Sequence, residues 1–189
     1  MSIIQSAHPK TPDPNPQETH PMNPARHHIL PLVALCGALC ATSPFAQTGA
    51  GLVTERSIST DTALELASAS LARCRADGFK VTVSVINRHT RTAVVLSDDG
   101  VNPHTIENAY RKAYTAFTTR TGTVEMAKRA QPGLSGFMLL ANISPLDGGV
   151  PIFAANKELV GAIGISGAPG GDKDTACAMA GLEKIAGKL

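Results

Sequence analysis

The sequence predicts an α/β domain in which an antiparallel sheet is covered by helices on both faces. Three observations carry that prediction. Residues 81–86 set Val81, Val83 and Val85 against Thr82, Ser84 and Ile86, a period of two that suits a strand. Short turns at Arg88-His89-Thr90-Arg91 and Asn156-Lys157-Glu158 join this run to one at 92–97, and residues 152–155 to a run at 159–166. Hairpins therefore dominate, and hairpins make antiparallel sheets. Between these strands lie segments of helical spacing, which must bury their apolar faces on the sheet.

The first helix begins near 59–62, where Ser59, Thr60 and Thr62 are candidate caps and Thr62 with Glu65 forms a capping box. Leu64, Ala67, Leu71 and Cys74 share its apolar face, and Gly78 ends it. Residues 102–121 are the stretch around which the chain is organised. Pro103 suits a helix start, where its missing N–H does no harm. Ile106, Ala109, Tyr110, Ala113, Ala116 and Phe117 then recur at helical spacing. His104 stands at the start of this helix, with Arg111, Lys112 and Tyr114 further along. An imidazole, two cations and phenols beside small residues suit a flat, apolar, anionic ligand. The plainer reading is a core helix with a solvated basic edge. A short helix at 124–130 and a final helix at 175–189, with Ala178, Leu182 and Ile185 inward, complete the order.

The 189 residues make one domain of ordinary size rather than two. A net charge of +2 with no long basic run argues against nucleic acid as a partner. With no Trp, five Phe and two Tyr, the core must be built from Ala, Val, Leu and Ile.

Residues 1–21 are Pro-rich, polar and aperiodic, and read as a disordered leader. Residues 22–46 have the layout of a secretory signal peptide: a basic start after Met22, an apolar run at 29–41, then Ala41-Thr42-Ser43-Pro44-Phe45-Ala46. Cleavage is expected after Ala46, with Ser43 as the alternative. Translation is expected to begin at Met22, with 1–21 an upstream extension. Residues 47–56 form a linker and 57–189 the folded domain, expected in the periplasm or outside the cell and free of membrane after cleavage.

Several motifs fail on spacing. Gly161-Ala162-Ile163-Gly164-Ile165-Ser166-Gly167 is not a dinucleotide loop, since its glycines sit within a strand. Gly167-Ala168-Pro169-Gly170-Gly171-Asp172-Lys173 is no phosphate loop, because Asp172 interrupts it. No His/Cys group has zinc spacing. The strand glycines instead permit close backbone approach, to a helix or to a ligand. The segment 167–174 reads as a helix-start turn near the ligand pocket, with Asp172 or Asp174 able to cap the last helix.

Taken together, Val81-Thr82-Val83-Ser84-Val85-Ile86-Asn87, Pro103-His104-Thr105, Arg111-Lys112-Ala113-Tyr114-Thr115-Ala116-Phe117, Gly148-Gly149-Val150-Pro151-Ile152 and the glycine-rich run 161–174 resemble the GlcG/HbpS haem-binding family over residues 57–189. The resemblance implies a profilin-like α/β sandwich with a five-stranded antiparallel sheet, a homo-oligomer, and haem as cofactor, for storage, sensing or slow degradation. The alternatives it leaves are a small organic acid held by Lys112 and Arg111, or a ligand-free accessory protein. The chain departs from the family at the first hairpin, where Asn87 and Thr90 stand in place of a frequent Asp and Gly.

If haem is bound, His104 is the expected iron ligand. Four of the six histidines leave with the leader, and His89 falls in a hairpin turn. Arg111 and Lys112 would meet the propionates, and Thr105, Tyr110 and Tyr114 are reserve oxygen ligands. Terminal helices lie side by side in a profilin-like sandwich. With export to an oxidising compartment, this leads to an expected Cys74–Cys177 disulfide, with Gly181 letting the two helices come close.

Overall fold

The computed structural model describes residues 51–129 and 136–189. The expected leader and signal peptide, part of the linker and the last residue of the helix expected at 124–130 lie outside the described residues. The element order is α1 (Thr60–Ala76), β1 (Thr82–Asn87), β2 (Thr92–Ser97), α2 (His104–Thr119), α3 (Thr123–Arg129), β3 (Gly149–Phe153), β4 (Leu159–Ser166) and α4 (Gly171–Ile185). The sheet is antiparallel throughout, in the order β2-β1-β4-β3. The two central strands, β1 and β4, are buried on both faces apart from the half-buried Asn87.

Four strands stand where five were expected. The segment before α1 gives the sheet one backbone bond, from Ile58 N–H to the Val160 carbonyl at 3.0 Å, and makes no ladder. It is held by charge instead. Arg88 pairs with Glu55 and Glu158, and Arg56 pairs with Glu158. The Arg88 guanidinium holds the Glu55 carboxyl below its usual range.

Each face of the sheet has its own core. Val81, Val83, Val85, Ile163 and Ile165 face α1 and α4, where they meet Leu66, Ala67, Leu71, Ala178 and Ile185. Ile86 and Ala162 face α2, where they meet Ala113 and Ala116. The alternation that marked β1 as a strand therefore separates two buried faces, not a buried face from a wet one. Gly164 lies beneath α2, and a Cβ there would fall 2.5 Å from the Ala113 nitrogen. The glycine admits a helix rather than a ligand.

Two apolar stripes depart from expectation at their first residue, while Ala67, Leu71 and Cys74 of α1 and Ala109, Ala113 and Ala116 of α2 are buried as expected. Leu64 is 48% exposed while Ala63 and Leu66 are buried, because the buried face of α1 runs through 63, 66, 67, 70, 71 and 74. Ile106 is 49% exposed, and the buried seam of α2 is Thr105, Ala109, Lys112, Ala113, Thr115 and Ala116. Ser59 caps α1 by accepting the Thr62 N–H, so the helix starts too early for Thr62 and Glu65 to form its capping box. At the β1–β2 turn, Asn87 Oδ1 accepts the N–H groups of His89 and Arg91, and Thr90 takes the left-handed φ of 58° that a glycine would hold more easily. The departure from the family at this hairpin thus keeps the turn.

Cys74 and Cys177 are joined, with Cα atoms 5.5 Å apart across α1 and α4. Gly181 lies against Leu66 and Ser70, where a side chain would meet the Leu66 carbonyl at 2.9 Å. Removing the bond by Cys74→Ala with Cys177→Ala is expected to cost about 2–4 kcal/mol in urea unfolding. An unchanged midpoint would mean that the bridge does not stabilise the fold.

Candidate functional site

A cleft of about 510 Å³ opens between the first half of α2, the turn at 145–147 and the glycine-rich turn at 167–171. That volume lies within the range of small-molecule sites. The chain makes the cleft by packing α2 tightly on β4 and then reversing direction through glycines after Ser166. The expected turn beside the pocket is present but shorter, at 167–170, because α4 begins at Gly171, four residues ahead of the expected start at 175. Gly170 stands at the N-cap of α4 with no side-chain cap bond. Asp174 does not cap the helix directly. Its Oδ1 reaches back to accept the Ala168 N–H at 3.1 Å.

His104 opens α2 at the cleft, with its side chain exposed. No hydrogen bond or ion pair ties it to any other described residue. Thr105 also lines the cleft but is 1% exposed. Its hydroxyl lies 2.7 Å from the Asn102 carbonyl, to which it donates, and 2.8 Å from Thr82 Oγ1. That oxygen is committed to joining α2 to β1.

Lys112 departs from expectation most. It was read as part of a solvated basic edge or as an anion grip. It is 3% exposed, and its ammonium donates to Asp174 Oδ2 at 2.8 Å and to the Ile165 carbonyl at 2.9 Å. A charge this deep must be paired, and Asp174 pairs it. Burial pushes the Asp174 carboxyl above its usual range, against the opposing pull of Lys112 and of the Ala168 N–H.

Arg111 lies outside the cleft lining and pairs with Glu107 one turn back on the same helix. Tyr110 and Tyr114 also lie outside it. They pack against the smaller core, 6.1 Å apart between ring centres, and the Tyr110 hydroxyl donates to the Thr90 carbonyl. The fold thus brings together His104, Thr105 and Lys112 and leaves Arg111, Tyr110 and Tyr114 elsewhere.

The cleft also contains residues the sequence reading missed. Asn108 bridges Ser166 and Ser144, its amide nitrogen 3.0 Å from one hydroxyl and its oxygen 2.9 Å from the other. Asp147 has one buried carboxylate oxygen without a hydrogen-bond partner among the described residues. A usable signal existed for Lys112: it lies three residues after Ala109 and four before Ala116, on the small-residue seam itself. None marked Asn108, Asp147 or Ser166, which converge only through the fold.

A family model described as "Haem degrading protein HbpS-like" matches residues 58–183. The chain belongs to this family. Its structure is similar to the crystal structure of HbpS, with 35% identity, a TM-score of 0.68, and coverage of 74% of this chain and 98% of that one. It is also similar to the crystal structure of a PduOC–heme complex, with 26% identity, a TM-score of 0.63, and coverage of 67% and 94%. A relative from Citrobacter freundii, an uncharacterized 15.0 kDa protein of the dhaT-dhaS intergenic region, is 32% identical over 109 residues, covering 56% of this chain and 76% of its own length. The HbpS-like match spans all four strands and the α-helices apart from the last two residues of α4.

The buried pair makes a prediction about stability. Lys112→Met alone strands the Asp174 carboxylate and is expected to cost about 3–5 kcal/mol. Lys112→Met combined with Asp174→Leu is expected to recover most of that loss. Urea unfolding of both variants measures the difference, and a wild-type midpoint for the single variant would contradict it.

Proposed function

We propose that this protein is an exported haem-binding protein and that His104 supplies the iron ligand. One observation carries the reading: in a chain of the HbpS-like family, an exposed imidazole with no partner among the described residues stands at the cleft. Neutral imidazole is a good ligand for iron. The donor set fits the group, and so does the lining, which mixes Pro145, Leu146 and Ala168 with polar side chains. Haem, when bound, supplies iron-centred redox chemistry tuned by its axial ligand and its pocket.

In this reading His104 binds the metal, while Pro145, Leu146 and Ala168 offer apolar contact to the macrocycle. Lys112 is not read as a propionate partner, because it is buried and two of its three N–H groups already donate to Asp174 and to the Ile165 carbonyl. The same engagement weighs against the organic-acid alternative, which needed a free Lys112. Thr105, with its hydroxyl committed to Asn102 and Thr82, stays structural. The signal-like layout of residues 22–46 and the Cys74–Cys177 bond support export to an oxidising compartment.

Hemin titrated into wild type, His104→Ala and His89→Ala tests the ligand. The expected result is a saturable, shifted Soret band in wild type and His89→Ala, and loss of that shift in His104→Ala. A band unchanged by His104→Ala would refute the assignment. We also propose a homo-oligomer, since a core of small side chains gains little from each buried group, about 0.8 kcal/mol per CH₂. Light scattering at micromolar concentration should give at least the mass of a dimer, and a monomer mass would contradict it.

A further inference from the structure

We propose that the Lys112–Asp174 ion pair is a strap that holds the glycine-rich wall of the cleft at a fixed distance from α2, so that both residues position the ligand without touching it. The proposal rests on reading the cleft as the haem site. Asp174 spends its two oxygens in two directions. Oδ2 takes the Lys112 ammonium at 2.8 Å, and Oδ1 takes the Ala168 N–H at 3.1 Å. Lys112 donates a further bond to the Ile165 carbonyl at 2.9 Å. These three bonds link α2, the end of β4, the turn after β4 and the first turn of α4. One side of the cleft is the stretch of α2 from His104 to Lys112, and the facing side is the 167–171 turn, so the strap crosses from one wall to the other.

The wall needs such a tie. It carries Gly167, Gly170 and Gly171, residues that give the backbone its greatest freedom. The hydrogen bond of the Ala168 N–H goes to the Asp174 carboxylate. The strap is also fitted sterically. Gly148 holds a φ of +117°, and a Cβ there would lie 2.6 Å from the Ile165 carbonyl oxygen, 2.8 Å from Asp174 Cβ and 3.0 Å from Lys112 Nζ. Apolar residues of similar volume often match or exceed a buried ion pair in stability. What such residues do not supply is an acceptor for the Ala168 N–H, and that acceptor ties the wall.

The full chain is compared in three forms: wild type, Lys112→Met/Asp174→Leu, and Lys112→Met/Asp174→Asn. The second double variant keeps an acceptor for Ala168. Amide hydrogen exchange over residues 167–170 reads the wall, and hemin titration reads the site. If the Leu variant leaves the wall in place for about a tenth of the time, its hemin affinity falls about ten-fold. The Soret maximum of bound hemin stays at the wild-type position, because His104 is untouched. Exchange over 167–170 rises in parallel, and the Asn variant lies between wild type and the Leu variant in both measurements. Wild-type exchange and affinity in the Leu variant would overturn the proposal. A moved Soret maximum would overturn it as well, since the pair would then contact the ligand. Should the Leu variant not fold, the Asn variant must still raise exchange over 167–170, and unchanged exchange in it refutes the strap. A wild type that takes up no hemin refutes the haem reading, while the exchange data still decide the strap.

Discussion

The close seating of α2 on β4 is the constraint on which the rest of the structure depends. It is possible because the α2 seam is made of Ala109, Ala113 and Ala116 and because Gly164 offers no side chain beneath it. Larger residues at these positions would lift the helix away from the sheet. Lys112 would then lose the Ile165 carbonyl, Thr105 would lose Thr82, and Asn108 would lose Ser166, since each of these bonds spans the helix–sheet gap at 2.8–3.0 Å. The polar groups along the seam follow from this closeness. A helix lying on backbone rather than on large side chains meets carbonyls and hydroxyls, and its own polar residues must pair with them.

The two faces of the sheet divide the work. On one, branched aliphatic side chains of β1 and β4 meet α1 and α4 in a conventional core, closed by the Cys74–Cys177 bond. On the other, the core is small, and hydrogen bonds and an ion pair take up much of the space along α2. The cleft lies on the second face, at the end where β4 hands over to the turn before α4. Stability concentrated on the first face lets the second carry buried polar groups, among them Lys112 and Asp174. Membership of the HbpS-like family and the exposed His104 give this polar end its proposed use as a haem site.

The sequence by itself determined the fold class, the hairpin pairing and the helix at 102–121, because periods of two and of 3.6 are local properties that survive without neighbours. The Cys74–Cys177 bond was expected from the signal-like layout of residues 22–46 together with the family resemblance, and the structure joins the two residues. The position of His104 at a helix start was legible too, because Pro103 and the helical spacing after it are local features; its meeting with the glycine-rich turn at 167–171, more than 60 residues on, came only with the fold. What only the tertiary structure decided was the exact buried seam of each helix, the strand count and the fate of the charges. Leu64 and Ile106 fit an apolar stripe in sequence but fall one position outside the contact that forms. Lys112 looked like a surface cation until Asp174, 62 residues away in the chain, was folded against it. Whether a charge is solvated or paired depends on what is packed around it, and that is set by contacts distant in sequence, which no local pattern encodes.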